Sequence, residues 1–490
     1  MFEYSVVNDV LSFLLPSLPS IIARGWFTVV IVGFMTHTDH YGVSSFMRAL
    51  DLPAVCYTRL LSFFRTCKVD LNLLSRKWWV VAIAMNYPYM VRNKVVLIVD
   101  ATKAQKEGKR MPATKKLGQT SEDQTKPTYI WGTMFQSIGL LCGKVGSMFS
   151  CPLTMRIADG IAAMADWDES PYKKESQIVQ AAKDACEIAK EIKKPCILLG
   201  DRYYLARSAI QNILKHNLEN PKYKVFLLSK AKRSFTAYYP LTEEQRKDKR
   251  RKKGNSVKLF SFFEDPDTEF KEVTVYLYGK QVTASVARKE LLWGSGVYVP
   301  MSFILVKYYD EDKKEERREV LGSMDTTLTT REIMELYSYR FKIEVQFKAD
   351  KSVLGIFSYR FWTGSQPWLN KRRKKGDPDP LEKVTDPEDR KKILETLHAT
   401  ELFVFCGIVA QGILQNISLR FASEGDRSDL RYQRTPANAA PSEENIMHVL
   451  RIKLPGFLAS HQNTLVARLI KQTIERASWD EYRNNARKAS

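Results

Sequence analysis

Up to about residue 85 the hydrophobic positions of this chain recur at helical spacing. The most apolar run there, GWFTVVIVGFM from Gly25 to Met35, reads as a buried helix or strand. VSSFMRAL (Val43–Leu50), a DLP turn and AVCYTRLLSFFR (Ala54–Arg65) read as two short helices joined tightly. Such a pair is compatible with a helix-turn-helix that would turn Tyr57, Arg59 and Arg65 toward DNA, and more simply with any helical hairpin.

The pattern changes near residue 90. KVVLIVD (Lys94–Asp100) is an unbroken β-branched run closed by an acid, as expected of a strand buried on both faces. Further strands are predicted over Tyr129–Phe149 and Cys151–Ile157, and a helix over Ser176–Ile192. A second buried strand, CILLGD (Cys196–Asp201), again ends in an acid. Strands alternating with helices predict an α/β layer architecture. From 222 to 328 the segments alternate or run apolar with no helix between them, which predicts a block of antiparallel β-structure. RKDKRRKK (Arg246–Lys253), seven basic residues in eight, interrupts it as a solvated loop or a track for phosphates.

A long helix is predicted from about Thr330, with Thr329 and Glu332 spaced as a capping box. A Pro/Gly/Asp-rich loop carrying KRRKK (Lys371–Lys375) leads to an apolar helix over Ile393–Phe421. The polar stretch SEGDRSDLRYQRTPANAAPS then reads as a linker, and the last fifty residues as helical.

At 490 residues there is room for three domains of roughly 150 residues each. Charge adds what the pattern does not: 76 Lys and Arg against 55 Asp and Glu leave +21, with a sequence pI of 9.5. Such an excess points to a polyanion, nucleic acid first and anionic membrane second. Gly25–Met35 and the shorter Leu402–Ala410 fall below the ~20 residues of a membrane span. The N-terminus, with Glu3 and no basic stretch, does not read as a secretory signal. Seven scattered cysteines without CxxC pairs argue for reduced thiols in a cytosolic protein and against structural zinc. His37 and His40 have nothing near them in sequence to complete a metal site, so a core or surface role is expected.

The chemistry concentrates in YSYRFKIEVQFKADK (Tyr337–Lys351). On one continuous helix, Tyr337, Arg340, Glu344 and Lys351 share a stripe about 60° wide. Met334, Phe341 and Val345 flank it on one side and Leu336, Ile343 and Phe347 on the other, with Glu335, Lys342 and Gln346 on the far face. A charged stripe between apolar flanks faces inward only where something needs it; the alternative is a solvated stripe holding an Arg340–Glu344 i,i+4 pair. Asp100 and Asp201, each ending a buried strand, could simply cap following helices. With an inward Glu344 they instead make a three-carboxylate set suited to two Mg²⁺ ions about 3.5–4 Å apart, beside which Arg340 and Lys351 would hold phosphates.

Tyr337-x2-Arg340-x3-Glu344-x6-Lys351 resembles the YREK signature of the IS-four group of DDE transposases of insertion sequences. The lead-in VLGSMDTTLTTREIMELYSYRFKIEVQFK is similar to that group's approach to its catalytic glutamate. The resemblance runs from about Val95 to Trp362, strongest at the YREK helix and present at KVVLIVDAT and ILLGDRYY. It implies an α/β, RNase H-like catalytic core interrupted by a β-rich insertion, with helical N-terminal and C-terminal regions. The parts would be a DNA-binding region over 1–85, the core over 86–215 and 329–421, the insertion over 216–328, and a linker with dimerising helices over 422–490.

The same resemblance implies Asp100, Asp201 and Glu344 as the catalytic ligands of Mg²⁺, with Mn²⁺ as a substitute. Tyr337, Arg340, Lys348 and Lys351 would grip phosphates near a transposon end, where a base is flipped. In similar proteins a tryptophan of the insertion stacks on that base, and Trp293 is the one tryptophan of this insertion. Lys230 and Arg233, in LSKAKRS, are the expected contacts to DNA backbone. Two positions depart from the pattern: Ala101 follows Asp100 where relatives often carry another acid, although Thr102 keeps the hydroxyl, and the N-terminal region has no motif that identifies the residues reading the DNA end.

The implied activity is binding of double-stranded DNA at terminal inverted repeats and at a target, as a homodimer in a synaptic complex. It would cut the ends and join the 3′-hydroxyls to target DNA, at the nucleoid of a bacterial or archaeal cytoplasm, with no membrane partner. Two other expectations stand beside it. A decayed or domesticated relative would hold DNA without cutting, against which the intact acids and YREK set speak. Another RNase H-like nuclease, such as a junction resolvase, would need neither the Tyr/Arg/Lys stripe nor the large insertion.

Overall fold

The computed structural model describes residues 2–119, 127–310, 314–370, 377–433 and 439–489. The basic run Lys371–Lys375 and residues 434–438 of the polar linker lie outside them. Five helices open the chain: α1 (Phe2–Leu14), α2 (Ile21–Thr36), α3 (Val43–Ala49), α4 (Val55–Thr66) and α5 (Leu71–Met85). Side-chain caps set two of their starts, Ser20 accepting from Ala23 N and Asp70 from Asn72 N and Leu73 N. The apolar Gly25–Met35 run is therefore the buried helix α2.

The α/β part comprises β1 (Met90–Val91), β2 (Lys94–Gln105), β3 (Lys115–Gly118), β4 (Tyr129–Lys144), β5 (Ser147–Ile157), α6 (Gln177–Glu191), β6 (Cys196–Gly200), α7 (Arg207–Glu219) and β7 (Val225–Lys230). Next come β8 (Thr236–Tyr238), α8 (Glu243–Arg246), β9 (Ser256–Lys258), β10 (Lys271–Leu277), β11 (Lys280–Trp293), β12 (Val299–Asp310) and β13 (Glu315–Ser323). The chain closes with α9 (Thr330–Tyr339), α10 (Lys342–Ser352), α11 (Pro387–Glu424), α12 (Glu443–Ser460) and α13 (Leu465–Ala489).

All the strands join one mixed sheet, ordered β3-β4-β2-β6-β7-β13-β12-β11-β8-β9, with β1 on β2, β5 on β4 and β10 on β11. β2 is antiparallel to β4 and parallel to β6, and β6 is parallel to β7. Val95 to Val99 are fully buried, as a strand with partners on both edges and packing on both faces requires. The expected antiparallel block needs two corrections: a short helix, α8, stands between β8 and β9 where none was expected, and the first strand, β7, runs parallel to β6. Helix α7 crosses between them, and such a crossover returns the chain in the same direction. The antiparallel strands β8 to β13 then extend the same sheet through β13, whose last residues pair with Leu228–Lys230 of β7.

Helix α11 packs across this sheet and is the centre of the helical layer. It is the one helix among the described residues long and apolar enough to cross a membrane, and 94% of its most apolar stretch is buried inside the protein. Gly412 permits its close approach to α5, since a Cβ there would fall 2.4 Å from the Trp78 ring. Trp78 and Trp79 in turn donate to Pro152 O and Leu153 O of β5, at 2.8 and 3.0 Å. The two ends of the chain share this layer. Tyr4 Oη donates to Leu450 O (2.8 Å), and Arg451 donates to Thr36 O and His37 O. The buried Glu3 meets Lys453 at 2.7 Å.

Helices α3 and α4 form as the sequence suggests, but α4 is largely built into this layer. Cys56, Leu60, Phe63 and Phe64 are buried, and Arg59 pairs with Asp480 of α13 at 3.3 Å. Of the three residues expected to face DNA, Tyr57 and Arg65 remain exposed. His37 and His40 serve in the core and at its edge, holding Leu354 O and Val353 O at 3.0 Å just past the end of α10.

Candidate active site

The first two acids meet because β2 and β6 are neighbours running the same way. Ile98 pairs with Leu199, so two residues on Asp100 and Asp201 come side by side, at about the 4.8 Å spacing of strands. Asp201 follows the end of β6 as expected, but Asp100 does not end its strand: β2 runs on to Gln105, held by its pairing with β4. Each acid is oriented locally: Asp100 Oδ1 accepts from Ala101 N and Asp201 Oδ1 from Tyr203 N, both at 2.8 Å. Ser229 Oγ donates to Asp201 O from β7 at 2.7 Å.

The third acid arrives on α10, and its placement corrects the single-helix reading. The stretch from Thr330 is two helices, broken at Arg340–Phe341. There Arg340 N, Ile343 N and Glu344 N bond to Tyr337 O, Arg340 O and Phe341 O, three residues back rather than four. A 3₁₀ turn advances about 120° per residue instead of 100°, so the face of α10 rotates relative to α9. Phe341 and Val345, expected to flank the stripe inside, are therefore 47% and 46% exposed. Gln346, expected on the far face, is buried: its amide donates to Ser137 Oγ (3.2 Å) and its carbonyl accepts from Ser150 Oγ (2.7 Å). Ser137 is the residue opposite Asp100 across β4. Gln346 thus docks α10 onto the rung of the sheet that carries the first acid, and brings Glu344 to it.

Arg340 joins the constellation together. Its guanidinium lies 2.7 Å from Glu344 Oε1 and 3.4 Å from Asp100 Oδ2, and it is mostly buried. Among the described residues no three acids, histidines or thiols close to metal-cage separation, and Arg340 stands between the first and third acids. The donor chemistry, three carboxylates beside the central strands of the sheet, fits hard divalent cations. Burial, reinforced by the charges of Asp201 and Glu344, pushes Asp100 up to about 6 against the opposing pull of Ala101 N–H and Arg340. Burial also raises the Tyr337 phenol, with Arg340 opposing and Glu319, Tyr278 and Asp201 reinforcing. Tyr337 therefore stands within the same charge cluster.

A stability prediction follows for the metal-free protein. A carboxyl held above its unfolded pKa takes up a proton on folding, so the fold loses stability as pH rises from about 4 to about 6. Asp100→Asn removes that loss. The variant should gain about 2–3 kcal/mol relative to wild type between pH 4 and pH 7, read from urea unfolding at each pH. An identical pH dependence in the two proteins would refute the assignment.

The other expected DNA contacts divide. Lys348 and Lys351 continue from Glu344 along the exposed side of α10. Lys230 closes β7 and pairs with Glu319, beside Tyr337. Arg233 is exposed in the following loop, over the Phe260 ring at 5.7 Å. Arg246–Lys253 is mostly exposed, with Lys253 over the Tyr238 ring at 3.7 Å. Trp293 is not presented to a ligand: it is 7% exposed, packed 5.2 Å from the Phe235 ring where β11 meets β12.

An aromatic that the insertion brings near Tyr337 and Arg340 is Tyr278. It sits at the tip of the β10–β11 hairpin, 67% exposed, and its phenol is electrostatically coupled to Glu319, Arg340 and Glu344. Leu277 pairs with Lys280, leaving Tyr278 and Gly279 as a two-residue turn with φ of 52° and 82°. Both positive values mark the twisted hairpin turn for which glycine at the second position is the usual signal. That signal, YG between two alternating segments, is present in VYLYGKQVTASV. No protein-family model matches the chain, and no curated protein matches it at a significant level.

Proposed function

We propose that this chain is a DNA transposase of the DDE type, with Asp100, Asp201 and Glu344 as its catalytic acids. One observation carries the reading. Three acids separated by about a hundred residues or more come near one another beside the central parallel strands of one sheet, with Tyr337 and Arg340 among them. The mixed sheet, with its first two acids on adjacent parallel strands and an antiparallel extension between the second and third, supports an RNase H-like core with a β-rich insertion. The charge of +21 supports a DNA partner.

Asp100, Asp201 and Glu344 would hold Mg²⁺, or Mn²⁺ in its place. When bound, the metal supplies activation of an attacking water or 3′-hydroxyl and neutralisation at the leaving oxygen. Arg340 compensates Asp100 and Glu344 until substrate arrives, and its guanidinium is then the natural partner of a phosphate. Tyr337 at the end of α9 and the exposed Lys348 and Lys351 on α10 extend the grip. Tyr278, rather than Trp293, offers an aromatic face to a base near the cut.

The test is cleavage of labelled DNA carrying the gene's own flanking ends, in Mg²⁺ and in Mn²⁺. Specific nicks at the 3′ ends support the transposase; binding without cleavage in either metal moves the assignment to a DNA-holding relative. Tyr278→Ala should weaken binding of a DNA end roughly tenfold, from the loss of one base–aromatic stack, and Tyr278→Phe should restore it. Because the ring is exposed, the melting temperature should not move. An unchanged affinity for the end would rule Tyr278 out.

A further inference from the structure

Both catalytic elements run on past the acids, and their continuations meet. Strand β2 extends to Gln105, and Lys106 then turns inward to donate to Phe357 O and Tyr359 O, its ammonium 3.5 Å over the Tyr359 ring. Residues 357 and 359 lie just beyond α10. Past that joint the two segments pair: Thr363 N donates to Arg110 O, Leu369 N to Lys109 O, and Arg110 Nη1 to Gly364 O. Ser365 Oγ fastens the second segment to Asp389 of α11 at 2.6 Å, and Gln366 is buried beneath it.

On this fixed platform stand two indoles that the fold leaves out. Trp362 is 57% exposed and Trp368 is 59% exposed. Lys109 and Arg110 lie over the Trp368 ring, at 4.8 and 5.7 Å from its centre, and Arg360 is exposed two residues before Trp362. Exposed indoles held in a rigid loop pair, with cations set against them, are a feature that packing does not require.

We infer that this platform binds an unpaired DNA strand, its bases stacked on Trp362 and Trp368 and its phosphates on Lys109, Arg110 and Arg360. A duplex hides its base faces, whereas a single strand offers them to aromatic side chains beside cations. The inference rests on the proposed function for the class of partner. Position supports it: from Asp100 to the end of β2 is about 17 Å at strand spacing. About five nucleotides at 3.4 Å each cover that distance. A strand separated at the acids that follows β2 therefore arrives at its end, just beyond which Lys109 and Arg110 pair with the segment that carries the indoles.

The experiment uses the full chain without divalent metal and follows fluorescence anisotropy of fluorescein-labelled dT10 and of a ten-base-pair duplex. Trp362→Ala and Trp368→Ala should each weaken dT10 binding roughly tenfold, the Trp→Phe variants should recover most of it, and duplex affinity should change less than twofold. Equal affinity of the alanine variants for dT10 would overturn the platform. So would equal losses on both DNAs, or a loss seen only on vesicles of phosphatidylserine and phosphatidylcholine, which would make the indoles a membrane contact. Cleavage of the gene's own ends by the wild type is scored separately. Cleavage with dT10 binding unaffected by the substitutions sinks the platform alone; indole-dependent dT10 binding without cleavage keeps the platform and sinks the transposase.

Discussion

Glu344→Ala is expected to keep DNA binding and to lose Mg²⁺-dependent cleavage by roughly 10³-fold or more. The magnitude comes from the role. A catalytic metal contributes several kcal/mol of charge stabilisation in the transition state, and each 1.36 kcal/mol is a factor of ten. Glu344 lies in the first turn of α10 and is 44% exposed, so its removal leaves no buried hole. It does free one arm of Arg340, whose remaining partner in the pair is Asp100 at 3.4 Å. Binding should therefore survive or strengthen, because a carboxylate near the phosphates has gone. Single-turnover cleavage of a labelled end, with binding measured in parallel, separates the two. Cleavage within a few-fold of wild type would mean that another acid completes the site.

The largest expected effect on stability lies at Asp325, where the insertion returns to the core. Its carboxylate is 2% exposed and meets Lys94, at the start of β2, at 3.1 Å. Thr327 N and Oγ1 donate to the other oxygen at 3.2 and 2.7 Å. Removing one partner of such a pair strands the other charge in a site only 15% open, at a cost of about 3–5 kcal/mol. Asp325→Ala should lower the urea midpoint accordingly. The double variant Lys94→Met/Asp325→Ala should recover most of the loss, since no unpaired charge then remains. A single-variant loss below about 1 kcal/mol would show that the pair contributes no more than an exposed one.

The acids were legible in the sequence for a physical reason. A strand buried on both faces cannot hide, so Lys94–Asp100 and Cys196–Asp201 announce themselves as unbroken apolar runs. Local chemistry was equally plain at Thr329, whose hydroxyl caps Glu332 N while the glutamate side chain returns to Thr329 N. What needed the third dimension was phase and context. A wheel drawn at a constant 100° cannot contain the break at Arg340–Phe341, and so it misplaced Gln346, the residue that docks Glu344. The direction of β7 depended on a crossover helix, and the burial of Trp293 on Phe235, nearly sixty positions earlier. Tyr278 was marked by its neighbour Gly279, but only the folded hairpin shows that the turn comes near Tyr337 and Arg340.

The joining of the two ends of the chain has a consequence in time. Tyr4 finds its hydrogen-bond acceptor, Leu450, 446 residues later, and Glu3, with no exposed surface, waits for Lys453. At roughly 5–20 residues per second, a ribosome takes about 20–90 s to deliver that partner after the first helix has emerged. During that interval the opening helices exist without the α12 and α13 surfaces that later cover them, and Arg59 without Asp480. The newborn chain thus presents a more open N-terminal face than the finished one, with Glu3 and Arg59 both lacking these partners, and presents it while still tethered to the message that encodes it.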